Sequence, residues 1–184
     1  MTNVTFVTGN PNKVKYLSEL IGIPIKHHVA DVDEIQSLDL HAITAHKAKQ
    51  AYEQLKVPVI VEDTALSINS MGGLPGPFIK WFEQELDYEG ICRLADISPD
   101  RSAIASSVYT YYDGKTFKDF KGSLEGIIPS HPRGKSGFGW NPIFVPEGSN
   151  QTLGEMIDKD FKATYARIKM IKNVREFLRS IDKN

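Results

Sequence analysis

Two carboxylates, Glu62 and Asp63, follow the β-branched run Val57–Val61 with no residue between them. A short continuous apolar run of that kind is the pattern of a strand buried on both faces. The pair is therefore expected at the mouth of a buried strand, where an ionised carboxylate needs a cation or several donors to stay charged. A metal ion is the simplest such cation. Successive strand residues face opposite ways, so one of the two points into a cleft and the other toward a second lobe or solvent. Glu34, in the acidic loop Asp31-Val32-Asp33-Glu34, is the carboxylate best placed to meet Asp63 across that cleft.

A second group of residues suits an anion. Asn3–Thr8 reads as a strand and Gly9-Asn10-Pro11-Asn12 as a turn, with Asn10 capping a helix whose first turn holds Pro11 and Lys13. Free N–H groups and the dipole at a helix start attract anions, and the Thr8 hydroxyl, Asn10 amide and Lys13 ammonium beside them would complete a phosphate cradle. The plainer alternative is a capped helix with a solvated lysine. Lys47, on the next helix, could reach a phosphate from the side of Glu34. A third group is the loop Arg133–Pro142, where glycines alternate with Phe138 and Trp140 ahead of Asn141. A planar base could stack on those rings and be read by the Asn141 amide. Aromatics plugging the core beneath a glycine-rich turn explain the pattern equally well. The Gly134-Lys135-Ser136 triplet is not a nucleotide P-loop, because the motif's first glycine falls on Pro129.

The elements that must carry these groups follow from periodicity and turn composition. Ile23–Val29 reads as a strand and Asp39–Lys56 as a helix with Leu40, Ile43, Ala48, Ala51 and Leu55 on its apolar face. Gly72-Gly73-Leu74-Pro75-Gly76-Pro77 sets a fixed turn before a helix around Phe78–Leu86, and Tyr88–Ala95 forms a further short helix. Ser102–Tyr112 and Lys115–Ser123 make a hairpin closed by Asp113-Gly114, expected to build a second lobe. Ile143–Val145 is a short strand, and Asp158–Ile181 a single final helix with Phe161, Tyr165, Ile168, Ile171, Val174, Leu178 and Ile181 on one face. Lys162 and Arg167 stand off that face.

Whole-chain properties narrow the classes. With 22 Lys+Arg against 23 Asp+Glu the formal charge is −1, so no global basic field recruits nucleic acid or an anionic membrane. The single cysteine, Cys92, excludes an internal disulfide and sits in an apolar helical pattern as an inert thiol. No apolar run has the length of a signal sequence or membrane span, which points to a soluble protein of the reducing cytoplasm. His27 and His28 would face opposite ways in a strand, and His41 and His46 are spaced wrongly for a shared helical site, so a histidine zinc centre is rejected.

Taken together, the blocks Thr8-Gly9-Asn10-Pro11-Asn12-Lys13, Val61-Glu62-Asp63-Thr64, Gly72–Phe82 and Gly137-Phe138-Gly139-Trp140-Asn141-Pro142 resemble the inosine/xanthosine triphosphate pyrophosphatase family, in order across Val4 to Leu178. The resemblance implies an α/β fold over residues 1–184 as one domain. In it a long mixed sheet with flanking helices forms two lobes around a nucleotide cleft, in a homodimer. It implies Mg²⁺-dependent hydrolysis between the α- and β-phosphates of a nucleoside triphosphate, giving a monophosphate and pyrophosphate. By position Thr8, Gly9, Asn10, Pro11, Asn12 and Lys13 would hold phosphates with Lys47, and Glu34 would ligate Mg²⁺. Asp63 would ligate metal or act as base on the attacking water, and Thr64 would touch substrate. Phe138, Gly139, Trp140 and Asn141 would hold the base, with Lys162 and Arg167 nearby.

Two departures from the family pattern concern the base. Asn141 stands where the family usually has aspartate, and its late Ser-His-Arg triplet appears as Tyr165-Ala166-Arg167, without the histidine. The family's earlier lysine falls on Phe161, with Lys162 beside it. The leading expectation is hydrolysis of the deaminated purine nucleotides ITP, dITP and XTP. A related pyrophosphatase preferring a modified or pyrimidine nucleotide, and a non-catalytic nucleotide-binding module, are the alternatives.

Overall fold

The computed structural model describes residues 2–181. Strand β1 (Thr5–Val7) leads into helix α1 (Pro11–Ile21), which starts where Asn10 Oδ1 accepts from the Asn12 and Lys13 amides at 2.9 and 3.4 Å. Pro11 occupies the first helical position, where no amide is needed. Strand β2 (Lys26–His28) is exposed along its length and pairs in parallel with β1. Helix α2 (Leu40–Leu55) is capped by Asp39, whose side chain accepts from the His41 amide.

Strand β3 (Val59–Ile68) departs from expectation in its length. Ala65, Leu66 and Ile68 are buried, and β4 (Pro75–Gly76) pairs with it antiparallel at Leu66 and Ser67. Glu62 and Asp63 therefore lie in the middle of a strand, not at its mouth. Helix α3 (Ile79–Leu94) merges the two helices read from sequence across Asp87, whose φ of 55° breaks the helical path. Strands β5 (Ser102–Tyr112) and β6 (Phe117–Ile127) flank a turn in which Asp113 Oδ1 accepts from the Lys115 and Thr116 amides. Gly114 has φ +95° there, and a Cβ on it would lie 2.4 Å from the Tyr52 ring. Strand β6 thus starts later and runs further than the composition implied. The expected strand at Ile143–Val145 is a 3₁₀ turn, Asn141–Ile143, followed by β7 (Val145–Pro146). The expected final helix is two: α4 (Asp158–Ile168) and α5 (Ile171–Ile181), separated at Met170 with φ 50°.

The seven strands form one mixed sheet in the order β2-β1-β3-β5-β6-β7, with β4 beside β3. The α/β class and mixed sheet are as expected. Contacts divide the chain into two compact units, Met1–Asp63 with Ser107–Gly122 and Lys169–Asn184, and Thr64–Ser106 with Ser123–Ile168. The first packs Val7, Ala48, Ala51, Val59 and Val61 into a core edged by Tyr52 and Tyr112. In the second, the Arg101 guanidinium donates to the carbonyls of Cys92, Ile128 and Pro129, tying α3 to the end of β6. Burial pushes the Cys92 thiol up to about 11, so it is inert as expected.

Candidate active site

The first unit assembles a compact cluster of opposite charges. Thr8 directly follows β1, its hydroxyl accepts from the Asn10 amide at 3.1 Å, and the Asn10 cap fixes the start of α1. That start projects Lys13 onto β3, where its Nζ lies 2.8 Å from Glu62 Oε2 and 4.0 Å from Asp63 Oδ1. From α2, Lys47 Nζ donates to Asp63 Oδ2 at 3.0 Å and to Glu34 Oε1 at 2.7 Å. Thr8, Asn10, Lys13, Glu34, Lys47 and Asp63 were expected to cooperate, and the structure brings them together. Gly9, Pro11 and Asn12 lie in the exposed turn and first helical residues between Thr8 and Lys13.

Glu62 behaves otherwise than expected. It turns neither to solvent nor away from the cluster but is buried at 4% exposure, held by Lys13, by Lys169 and by the Ser107 hydroxyl at 3.1 Å. Alternation along β3 does separate the two carboxylates, yet Lys13 reaches both from one side. Lys169 was missed because the apolar spacing of 158–181 runs on through the break between α4 and α5. No periodicity distinguishes a lysine buried at such a break from one on a helix surface.

The shifts in acidity follow from this geometry. Burial works against charge on Glu62, but the ammonium groups of Lys13 and Lys169 outweigh it and hold the carboxyl at about 2. Burial also opposes charge on Lys13, and there Glu62 and Asp63 win, raising it above the usual lysine range. Lys169 goes the other way, to about 8, because burial and the neighbouring Lys13 outweigh the carboxylates of Glu62 and Asp63. At neutral pH Glu62, Lys13 and Lys169 are therefore charged.

The base-directed candidates lie in the second unit. Phe138 packs against the buried Tyr165 with ring centroids 6.3 Å apart, and Tyr165 against Phe161 at 5.6 Å. Trp140 meets the buried Phe144 edge-on at 5.7 Å, so that ring is partly core, as the plainer reading allowed. Gly139 is left-handed, and Asn141 is 5% exposed. Lys162 pairs with Asp158 at 2.8 Å, Arg167 is exposed on α4, and Thr64 is half-buried on β3. No α-helix starts at Gly134-Lys135-Ser136, as a P-loop would require, although β6 reaches Ile127 and so ends close before it.

Two oxygens, Glu34 Oε1 and Asp63 Oδ2, already converge on one cation, the Lys47 ammonium. Hard carboxylate oxygens in that number suit Mg²⁺, which binds through one or two carboxylates together with substrate phosphates. Among the described residues no three His, Cys, Asp or Glu side chains gather to hold a metal alone.

The inosine triphosphate pyrophosphatase of Batrachochytrium dendrobatidis is 40% identical over 185 residues, covering 98% of this chain and 96% of that protein. That of Schizosaccharomyces pombe is 38% identical over 185 residues, covering 98% and 97%. A solved HAM1 protein from Coxiella burnetii shares the fold with a TM-score of 0.86 at 23% identity, over 98% of this chain and 100% of that one. The model of the Ham1 family matches residues 4–177, and the chain belongs to that family.

Proposed function

We propose that this protein is a nucleoside triphosphate pyrophosphatase that hydrolyses ITP, dITP and XTP to the monophosphate and pyrophosphate. Mg²⁺ is its cofactor, and it works as a cytoplasmic homodimer. One observation carries the reading: the Asp63 carboxylate lies between two ammonium groups, Lys47 at 3.0 Å and Lys13 at 4.0 Å, at the capped start of α1. Lysines and helix-start amides suit a triphosphate, while a carboxylate among them suits work on water. The curated relatives, named as inosine triphosphate pyrophosphatases, support the choice of substrate.

In this reading Lys13 and Lys47 turn from the carboxylates to phosphate oxygens and keep their protons, which releases Asp63 to hold the attacking water. Asp63 takes the proton as the water oxygen bonds to phosphorus and the α–β bridging bond breaks, its electron pair leaving on the departing phosphate oxygen. Glu34 and Asp63 would hold Mg²⁺, which when bound neutralises phosphate charge and polarises the reacting phosphoryl group. Phe138, Trp140 and Asn141 hold the base.

The test is turnover with ITP, XTP, dITP, GTP, ATP and TTP, separating pyrophosphate from orthophosphate, with and without a Mg²⁺ chelator. Chelator-sensitive pyrophosphate release, fastest from the deaminated purines, is expected. Release from a different base keeps the chemistry and overturns the specificity. Binding without any pyrophosphate release would instead indicate a non-catalytic nucleotide module.

A further inference from the structure

Two buried polar atoms beside the aromatic loop of the second unit have no hydrogen-bond partner among the described residues: Glu83 Oε1 and Asn141 Nδ2. Such atoms are costly and uncommon in native interiors, and each calls for a physical reason. Asn141 is held firmly. Its backbone N–H donates to the Gly139 carbonyl and its own carbonyl accepts from the Gly154 amide, both at 2.9 Å. The chain also leaves room for its amide, because a Cβ on Gly137 would fall 1.9 Å from Nδ2. Helix α3 packs against the Asn141–Ile143 turn and carries Glu83 to the same loop. A Cβ on Gly139 would lie 3.6 Å from Glu83 Oε1 and 4.0 Å from Oε2. Burial pushes that carboxyl up to about 7, in line with an oxygen, Oε1, that meets no donor among the described residues.

The loop thus meets a donor at Gly137 and an acceptor at Gly139, the two residues that flank Phe138, and neither atom has a hydrogen-bond partner among the described residues. At the same time Phe138 packs against the buried Tyr165, and Tyr165 against the buried Phe161. We propose that Glu83 and Asn141 together read the lactam edge of a 6-keto purine, with Asn141 Nδ2 donating to O6 and the Glu83 carboxylate accepting from N1–H. The inference rests on the nucleotide reading of this loop and adds to it a specificity-determining residue. Adenine presents the reverse pattern, an amine at C6 and a bare N1. It would set donor against donor and a carboxylate against a lone pair, leaving both protein groups unpaired. Position 2 is not read by this pair. It therefore separates inosine, xanthosine and guanosine from adenosine without ranking the first three.

The experiment measures Kd for inosine and adenosine monophosphate, and kcat/KM for ITP and ATP, in the wild type, Glu83→Leu and Glu83→Gln. The wild type is expected to prefer the inosine compounds, with Glu83→Leu reducing that preference by roughly tenfold or more. Glu83→Gln, which keeps an acceptor oxygen and the side-chain shape, retains part of it. A preference unchanged in a folded Glu83→Leu protein, or absent from the wild type, overturns the role of Glu83. If no nucleotide yields pyrophosphate but the inosine monophosphate preference is present and lost in Glu83→Leu, the catalytic reading fails and the role of Glu83 stands.

Discussion

Glu62 and Glu83 are both glutamates drawn out of water, one in each unit, and their surroundings treat them in opposite ways. Glu62 is met by Lys13, Lys169 and Ser107, and its carboxyl is held at about 2. Glu83 Oε1 meets no donor among the described residues, and its carboxyl rises to about 7. The penalty for removing a carboxylate from water is common to both. The sign of the shift records whether the fold itself supplies the compensating charge. Where it does, the group is part of the scaffold; where it does not, the group is poised for a ligand. Asp63 shares Lys13 and Lys47 with two other carboxylates, so its cations can be handed to phosphates.

The largest expected effect is on turnover. Asp63→Asn removes the proton acceptor while keeping shape and hydrogen-bonding capacity, and should lower pyrophosphate release by about 10³-fold with little change in thermal stability. Unchanged turnover would sink its catalytic role. Glu62→Gln should do the reverse, leaving Lys13 and Lys169 without their shared carboxylate and costing about 3–5 kcal/mol in denaturant unfolding. A second change, Lys169→Met, removes one of the stranded ammonium groups and should recover part of that loss. Coupling in this double-mutant cycle is expected at about 1–3 kcal/mol. If Asp63→Asn destabilises the protein as much as Glu62→Gln does, the distinction between scaffold and reacting carboxylate collapses.

How legible these two glutamates were differs for physical reasons. Capping and turn chemistry are local, so the start of α1 at Asn10 and Pro11, the start of α2 at Asp39 and the turn at Asp113-Gly114 could be read directly. Glu34, Lys13, Lys47 and Asp63 were drawn together by residue type and by family resemblance, and the structure makes them neighbours. Glu62 was noticed but misplaced, because β3 continues through Ala65-Leu66-Ser67-Ile68 and its partner Lys169 is far away in sequence. Lys169 is buried next to Met170, which takes a left-handed conformation between two helices, a break that apolar periodicity does not record. Glu83 carried no signal at all. It sits among ordinary helical charges, and its meaning comes from the approach of Gly139 and the Asn141 turn.

The acid side of the stability profile tests the paired glutamate. With a folded value of about 2 against an ordinary 4.5, Glu62 contributes stability that is fully present above pH 4.5 and lost as pH falls toward 2. A shift of that size corresponds to about 3 kcal/mol. Urea unfolding between pH 6 and 2 should show this loss in the wild type and a shallower one in Glu62→Gln. Equal slopes would mean that Lys13 and Lys169 do not hold the carboxylate as the geometry indicates.

The smallest effect has the opposite sign and is the most discriminating. If Glu83 were a scaffold residue, Glu83→Leu would destabilise the protein through lost hydrogen bonds. Its buried oxygen finds no donor among the described residues, so the substitution removes a desolvated polar atom without stranding a partner. Replacement by an apolar side chain of similar size is then neutral or stabilising, by up to about 1 kcal/mol. The gain should be greatest above pH 7, where the wild-type carboxyl, held at about 7, is ionised and its burial most unfavourable. It should fade as pH drops and the carboxyl takes up a proton. Adding inosine monophosphate should reverse the order of the two proteins, because only the wild type offers the base an acceptor and is stabilised by mass action. A Glu83→Leu protein less stable than wild type at every pH and ligand concentration would place Glu83 with Glu62 among the residues that hold the fold.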